Sequence, residues 1–388
     1  MEQFFPFFIA LFAGVFFSMF SRKAHIPWVV ALIGGGVLLG PNFLNILELN
    51  PTIMFIGQIG LIFLMFMAGL ETKFQDLEGF KGKLSLLAFI NGVIPFGVGV
   101  WVALFLGYPL LPALILGVVF ISSSIAVVVP SLESHSILNT RLGQSVVMTT
   151  VIQDVASLIA LSLVLQNVNT ITFLPLYLFY PLLLVSLIVL RFIIKMIRGY
   201  FKLVASEKPD MFQFEFRSTF LIMMGTVLVF EFLGLHPIVA GFFSGLVLSG
   251  SIQTKALKDK IRTISYGVFI PTFFIVIGLQ TDIKVFSEIE NVSFVVGLII
   301  FGSVVSKFIS GWIGAKIVGF NNNESLLFAI TSIPQLSTTL ATASAAFALG
   351  LIDQVLLTAL VMLSISTVLI SPILMNIFST RIEIAGNK

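Results

Sequence analysis

The sequence predicts an all-α polytopic membrane protein: 13 transmembrane helices containing two inverted five-helix repeats, each with an interrupted span. Three observations predict it. The 388 residues are 58% hydrophobic and only 10% charged, with mean hydropathy +1.11. A soluble domain carries about 25% charged residues. Basic residues concentrate in alternate connections between apolar runs. One stretch of the chain also recurs later, in reversed orientation.

The spans follow in order. About 20 apolar residues at 1.5 Å rise cross a bilayer. Runs of that kind lie near 3–20, 27–45, 51–71, 83–107, 109–130, 141–166, 170–195, 212–233, 235–250, 264–282, 292–319, 324–350 and 354–379. The N-terminal run lacks a positive leader and reads as a first span, not a cleaved signal. Connections are short, so no soluble domain is expected between spans. The few residues after 379 leave no room for a C-terminal regulatory domain. Cysteine is absent, which excludes disulfides and thiolate metal sites. The 31 glycines suit close helix packing and broken helices. The net charge of +3 is spread over short loops, so no nucleic-acid partner is expected.

Loop charges give an orientation. Arg22 and Lys23, then Lys73, Lys81 and Lys83, follow odd-numbered spans; so do the basic runs 191–208 and 255–262. With Arg141, Lys316, Arg381 and Lys388 they make 18 of the 21 basic residues. Lys284 alone lies on the other side, and Arg217 and Lys307 fall inside spans. Positive charge stays cytoplasmic. The expected topology therefore has the N-terminus outside and the C-terminus in the cytoplasm of a cell membrane.

The repeat links span two, PWVVALIGGGVLLG from Pro27, to span nine, PIVAGFFSGLVLSG from Pro237. The next spans also end alike, Gly69-Leu70-Glu71-Thr72 against Gly278-Leu279-Gln280-Thr281. An odd number of spans separates the copies, so they run in opposite directions. Inverted repeats mark secondary transporters, whose site lies near the midplane at broken helices. Chance similarity of Gly-rich apolar helices is the competing reading. By this symmetry, spans two to six match nine to thirteen, and span five matches span twelve. Span five carries Ser122, Ser123 and Ser124 and closes with Pro130. Span twelve carries Thr331, Ser332, Pro334 and Gln335, then Ser337-Thr338-Thr339. Pro334 lacks a backbone donor and disfavours helix before it. Both spans read as interrupted in mid-membrane, with ordinary Ser/Thr helix packing as the alternative.

Two ionisable groups lie deep in spans, Asp154 and Lys307. A lone carboxylate at the midplane costs at least about 2.5 kcal/mol. Two readings stand open: an ion pair that holds the fold, or an exchange site where Lys307 yields Asp154 to an arriving cation or proton. Glu215 and Arg217 fit a span end, where long side chains reach the interface. No His/Asp/Glu set has divalent-metal spacing. No phosphate-binding loop is present for ATP to drive transport.

The run from Ser122 to Pro130, followed by Val151-Ile152-Gln153-Asp154, resembles the monovalent cation:proton antiporters. The branch it is most similar to is the second class, which holds Kef-type potassium efflux systems and bacterial Na+/H+ exchangers. Gly40-Pro41, Gly69-Leu70-Glu71, the run from Phe274 to Leu279, Lys307 and Pro334-Gln335 extend the match across nearly the whole chain. There are departures. Gln153 stands where many sodium exchangers have a first Asp. Gln335-Leu336-Ser337 replaces an Arg-Gly-Glu after the proline, and the nucleotide-binding domain of glutathione-gated systems is missing.

The resemblance implies the Na+/H+ antiporter fold, in which the two broken helices cross beside the Asp. It implies a homodimer in a lipid bilayer. A core at 83–166 and 292–379 would move against a dimerisation subdomain at 1–71 and 212–282, with 170–195 as a linker helix. It implies elevator-type exchange of Na+ or K+ for a proton, the two competing for Asp154. The single deep carboxylate, with uncharged Gln153 beside it, points to electroneutral one-for-one exchange, unless Lys307 also gives up a proton in the cycle. Gln153, Ser122, Ser123, Ser124, Thr331 and Ser332 would assist. Lys307 would be the charge partner, and Pro130, Pro334 and Gln335 would mark the breaks. The only ions expected are the transported ones, with no cofactor. Two other readings stay open: a Kef-like potassium channel and an organic-anion symporter on the same fold. An intramembrane enzyme is disfavoured, because no nucleophile–base pair or metal cluster appears.

Overall fold

The computed structural model describes residues 4–24, 26–71, 82–166, 214–232, 236–249 and 255–379, with isolated positions at 185, 189 and 192. Helices account for twelve of the thirteen expected spans. The seventh, 170–195, falls almost wholly outside the described residues. So do the loop charges at 73–81, Arg191, those at 193–208, Arg381 and Lys388.

The helices are α1 Phe4–Ala24, α2 Trp28–Leu39, α3 Pro51–Glu71, α4 Lys83–Phe105, α5 Leu110–Ile121, α6 Ile125–Ser134 and α7 Arg141–Gln166. After the gap come α8 Phe214–Phe232, α9 Pro237–Ser249, α10 Lys255–Ile264 and α11 Ile270–Gln280. The short α12 Val285–Glu288 precedes α13 Val292–Val318, α14 Asn322–Thr331, α15 Ser337–Ala348 and α16 Gln354–Ser379. Among the described residues, eight helical stretches are long and apolar enough to cross a membrane.

Three boundaries differ from the sequence reading, each for a local reason. Span two ends at Leu39 instead of 45, because Pro41 cannot continue a helix. The chain turns there, with Leu44 and Leu47 amides donating back to the Leu38 and Leu39 carbonyls. Span ten starts early: α10 feeds through a π-turn at Ser265–Phe269 into α11. Leu257, Ile261 and Ser265, spaced by four, are buried, while Asp259, Lys260 and Arg262 face outward. Span five runs on past Pro130, which lies inside α6 rather than at the break.

The chain clusters into two compact units. One comprises Met1–Leu49, Gly79–Val164 and Phe274–Lys388; the other comprises Asn50–Glu78 and Leu165–Phe273. Within the second, α3 packs against α9. A side chain at Gly69 would run into the Phe242 carbonyl, and one at Gly245 into the Phe66 carbonyl. Within the first, α2 packs against α11, and Gly278 abuts the Ile33 carbonyl just as Gly36 abuts that of Ile275. Gly69 and Gly278 are the paired residues of the repeat, and each lets its backbone touch a span of the other copy. Close approach through small residues is how helices associate without a hydrophobic drive. The internal repeat is thus visible in packing as well as in sequence.

In the first unit α4, α5 and α13 pack together, as do α14, α15 and α16. Both breaks lie here. A capping box starts α14: Asn321 Oδ1 accepts from the Glu324 amide at 2.8 Å, and Glu324 accepts from the Asn321 amide at 2.9 Å. At the α4–α5 turn, Tyr108 Oη lies 3.3 Å from both carboxylate oxygens of Asp353, and donates to them. Burial and that carboxylate push the phenol up from its ordinary value.

Candidate functional site

The site forms where two interrupted spans meet. Helix α5 stops at Ile121, and Ser122, Ser123 and Ser124 run extended before α6 begins. Helix α14 stops at Thr331, and the chain stays non-helical until Ser337 starts α15. Such backbone is tolerated at this depth only if protein or water satisfies it. Here each break serves the other. The Ser124 amide donates to the Pro334 carbonyl at 2.7 Å. Ser123 Oγ donates to the Ser332 carbonyl at 2.9 Å.

The four half-helices present ends with opposite partial charge. Carbonyls at the end of α5 and α14 lack helical partners, as do amides at the start of α6 and α15. The α5 end is capped by a cation: Lys307 Nζ donates to the Ile121 carbonyl. Gln335 Nε2 lies 3.5 Å from the Phe120 carbonyl. The α14 end is capped by hydroxyls. Thr331 donates back to Leu327 and Phe328, Ser332 to Ala329, and Ser371 to Ile330 at 3.0 Å.

Asp154 lies midway along α7, 3% exposed. Thr338 Oγ1, in the first turn of α15, donates to its Oδ1 at 3.0 Å. The Ser123 backbone lies beside the carboxylate. Asp154 therefore lies between the two breaks, beside the Ser123 backbone of one and hydrogen-bonded to a hydroxyl of the other.

Lys307, on α13, is fully buried. Its Nζ donates to the Ile121 carbonyl, to Ser123 Oγ at 3.0 Å and to Gln153 Oε1 at 3.2 Å. Those three acceptors use all three ammonium protons. The sequence reading paired Lys307 directly with Asp154. Among the described residues its hydrogen bonds go instead to the neighbour, Gln153. Consecutive residues on a helix point about 100° apart, so the ammonium that meets Gln153 approaches Asp154 from the side.

A family described as "Sodium/hydrogen exchanger, transmembrane" matches residues 7–377. The chain belongs to the sodium/hydrogen exchanger family. It is 31% identical over 383 residues to "Probable Na(+)/H(+) antiporter 3" of Methanocaldococcus jannaschii, covering 96% of this chain and 95% of that one. It is 26% identical to the "Na(+)/H(+) antiporter" of Enterococcus hirae, covering 94% and 95%. The solved structure of the sodium proton antiporter MjNhaP1 from Methanocaldococcus jannaschii superposes with TM-score 0.73 at 16% identity, covering 98% of this chain and 99% of that one. That likeness shows the Na+/H+ antiporter fold.

Within this exchanger-family chain, the expected site residues divide. Ser123, Gln153, Asp154 and Lys307 form one contiguous polar cluster. Ser122 bonds away from it, to the Val119 carbonyl and to Thr339. Thr331 and Ser332 cap their own helix, and neither hydroxyl hydrogen-bonds Asp154. Ser124 Oγ has no hydrogen-bond partner among the described residues. Gln335 donates to Ser303 Oγ at 3.0 Å, next to the α5 end. Pro334 lies in the second break, and its carbonyl ties that break to the first.

Sequence reasoning passed over two contributors. Thr338 was visible in the hydroxyl run after Pro334, but nothing in the run said which hydroxyl faces Asp154. Asn91, fully buried on α4, accepts from Ser310 Oγ at 2.8 Å, one helical turn along α13 from Lys307. The only signal for Asn91 was an amide in the middle of an apolar span.

Proposed function

We propose that this protein exchanges one monovalent cation, Na+ or K+, for one proton at Asp154, by alternating access across a cell membrane. The observation that carries the reading is the deep carboxylate held at the meeting point of two broken helices. A carboxylate binds a proton or a cation, not both together. Competition at one group couples the two fluxes without further machinery, provided the site crosses only when Asp154 is neutralised. Thr338 Oγ1 and nearby break backbone supply neutral oxygens. Oxygen ligands suit hard cations. Hydroxyls and carbonyls serve Na+ and K+ alike, so both belong to the proposal.

The family resemblance supports a homodimer, with 83–166 and 292–379 as the moving core and 1–71 and 212–282 as the dimer face. The loop charges support an outside N-terminus and a cytoplasmic C-terminus. A reporter fused after Lys260 is expected in the cytoplasm, and one near Glu288 outside. Both reporters on one face would overturn that orientation.

The central test is Asp154→Asn in proteoliposomes. The wild type should collapse an imposed pH gradient when Na+ or K+ is added. The correctly inserted variant should lose at least about a hundredfold of that rate, since a neutral amide neither exchanges a proton nor offers a cation a negative charge. Wild-type exchange by Asp154→Asn would remove the carboxylate from the mechanism.

A further inference from the structure

The two halves of the repeat each contain one long helix of 26 residues after their broken span: α7 from Arg141 and α16 from Gln354. Asp154 lies thirteen residues after the start of α7. Thr367 lies thirteen residues after the start of α16. The match extends to the break that each residue faces. In the first half, the Asp154 carboxylate lies beside the Ser123 backbone of the break. In the second, the Gln335 amide of the break donates to Thr367 Oγ1 at 3.1 Å. Thr367 is thus the neutral counterpart of Asp154.

Its hydroxyl is arranged for this task. The Thr367 hydroxyl has three carbonyls in reach, Leu363 at 2.9 Å and Ser364 at 3.2 Å on its own helix and Gln335 at 3.4 Å across the break. Its oxygen accepts from the Gln335 amide. Gln335 is fully buried, so that amide has no access to water in place of Thr367.

Gln335 is also where the second break is most constrained. Its backbone is held by α16, while its side chain reaches α13 at Ser303 and the end of α5 at Phe120. Leu336 follows in an irregular conformation, φ −146 and ψ −84. Two residues later Thr338 bonds Asp154. A short, non-helical linkage therefore joins Thr367 to the carboxylate through Gln335 and Thr338.

We propose that Thr367 is a positioning residue for the exchange site: by holding the Gln335 amide it sets the second break so that Thr338 presents its hydroxyl to Asp154. This rests on Asp154 being the exchange site. Thr367 touches neither ion. Its loss should alter how well the site holds a cation, and leave the rate of crossing much less affected.

The experiment uses full-length protein in proteoliposomes, with Na+ and K+ as probes in separate assays, reading apparent KM and maximal rate. Thr367→Val keeps the shape and removes the hydroxyl; Thr367→Ser keeps the hydroxyl. Thr367→Val should raise the apparent KM about fivefold, as loss of one net hydrogen bond would, with maximal rate within about twofold. Thr367→Ser should restore the wild-type KM. In a Thr338→Val background, adding Thr367→Val should change KM little, because the relay is already cut. Wild-type KM in Thr367→Val, or full additivity of the two changes, would overturn the proposal. If Thr367→Val fails to insert, Thr367→Ala and Thr367→Ser decide, and equal behaviour of that pair would overturn it. Failure of both hydroxyl-less variants to fold would make Thr367 a folding residue, and that also overturns it. A wild type that exchanges neither ion for protons would instead remove the exchange reading itself.

Discussion

At the scale of single residues, the informative feature is which neighbour each buried charge has chosen. Lys307 satisfies all its donors on a helix-end carbonyl, a serine and an amide. It does not depend on Asp154 for a partner, yet its charge acts on Asp154 from nearby. Like charges repel strongly where the dielectric is low. A cation entering at Asp154 is therefore opposed by Lys307. Lys307→Gln keeps donors for Gln153 and Ser123 but removes that opposition. The apparent KM for Na+ should fall several-fold at neutral and mildly acidic pH, where the ammonium is charged. The melting temperature should fall too, since an amide offers two protons where the ammonium offers three. An unchanged KM in those transport assays would show that Lys307 does not act on the bound cation.

At the scale of elements, two kinds of join decide the architecture. The first is the broken span, readable in advance from Pro334 and from three consecutive serines. Pro130 misled because a proline within a helix was read as its end; α6 carries it internally. The amphipathic α10 was hidden for a different reason. Its Lys and Arg residues read as loop, although its period-four apolar face is buried. The second kind of join is the glycine crossing. Gly278 lets α11 touch the α2 backbone at Ile33. Gly278→Val would force those helices apart and should cost about 1–3 kcal/mol. Thermal unfolding in detergent should show a lower midpoint, with Gly267→Val, where the added Cβ meets open space, as the comparison. Equal midpoints for the two would show that the crossing tolerates separation.

At the scale of the whole molecule, the stoichiometry follows from counting deep charges. Asp154 is the carboxylate at the breaks, and Gln153 occupies the position beside it without a charge. One proton or one Na+ neutralises one carboxylate, and the ammonium of Lys307 is bonded to neutral acceptors in either case. Exchange should then be one for one, with no net charge moved. In proteoliposomes whose potential is clamped with K+ and valinomycin, the Na+-driven rate should not respond to the imposed voltage. A rate that follows the voltage would require a second proton in the cycle, with Lys307 as its carrier.

The sequence by itself determined the class, the spans, the inverted repeat, the two breaks and the one deep carboxylate. These are local properties. Insertion responds to apolar length, orientation to loop charge, and helix continuity to residues such as Pro334 and Ser122–Ser124 in their own segments. Tertiary structure decided the partners: Lys307 with Gln153, Thr338 with Asp154, Thr367 with Gln335. Each joins residues far apart in the chain, and each depends on how one helix is rotated about its axis against another. A shift of a single residue turns a side chain by about 100°, enough to exchange Asp154 for Gln153 as the group facing Lys307. Apolar periodicity carries little of that information here, because the core helices are apolar on nearly every face.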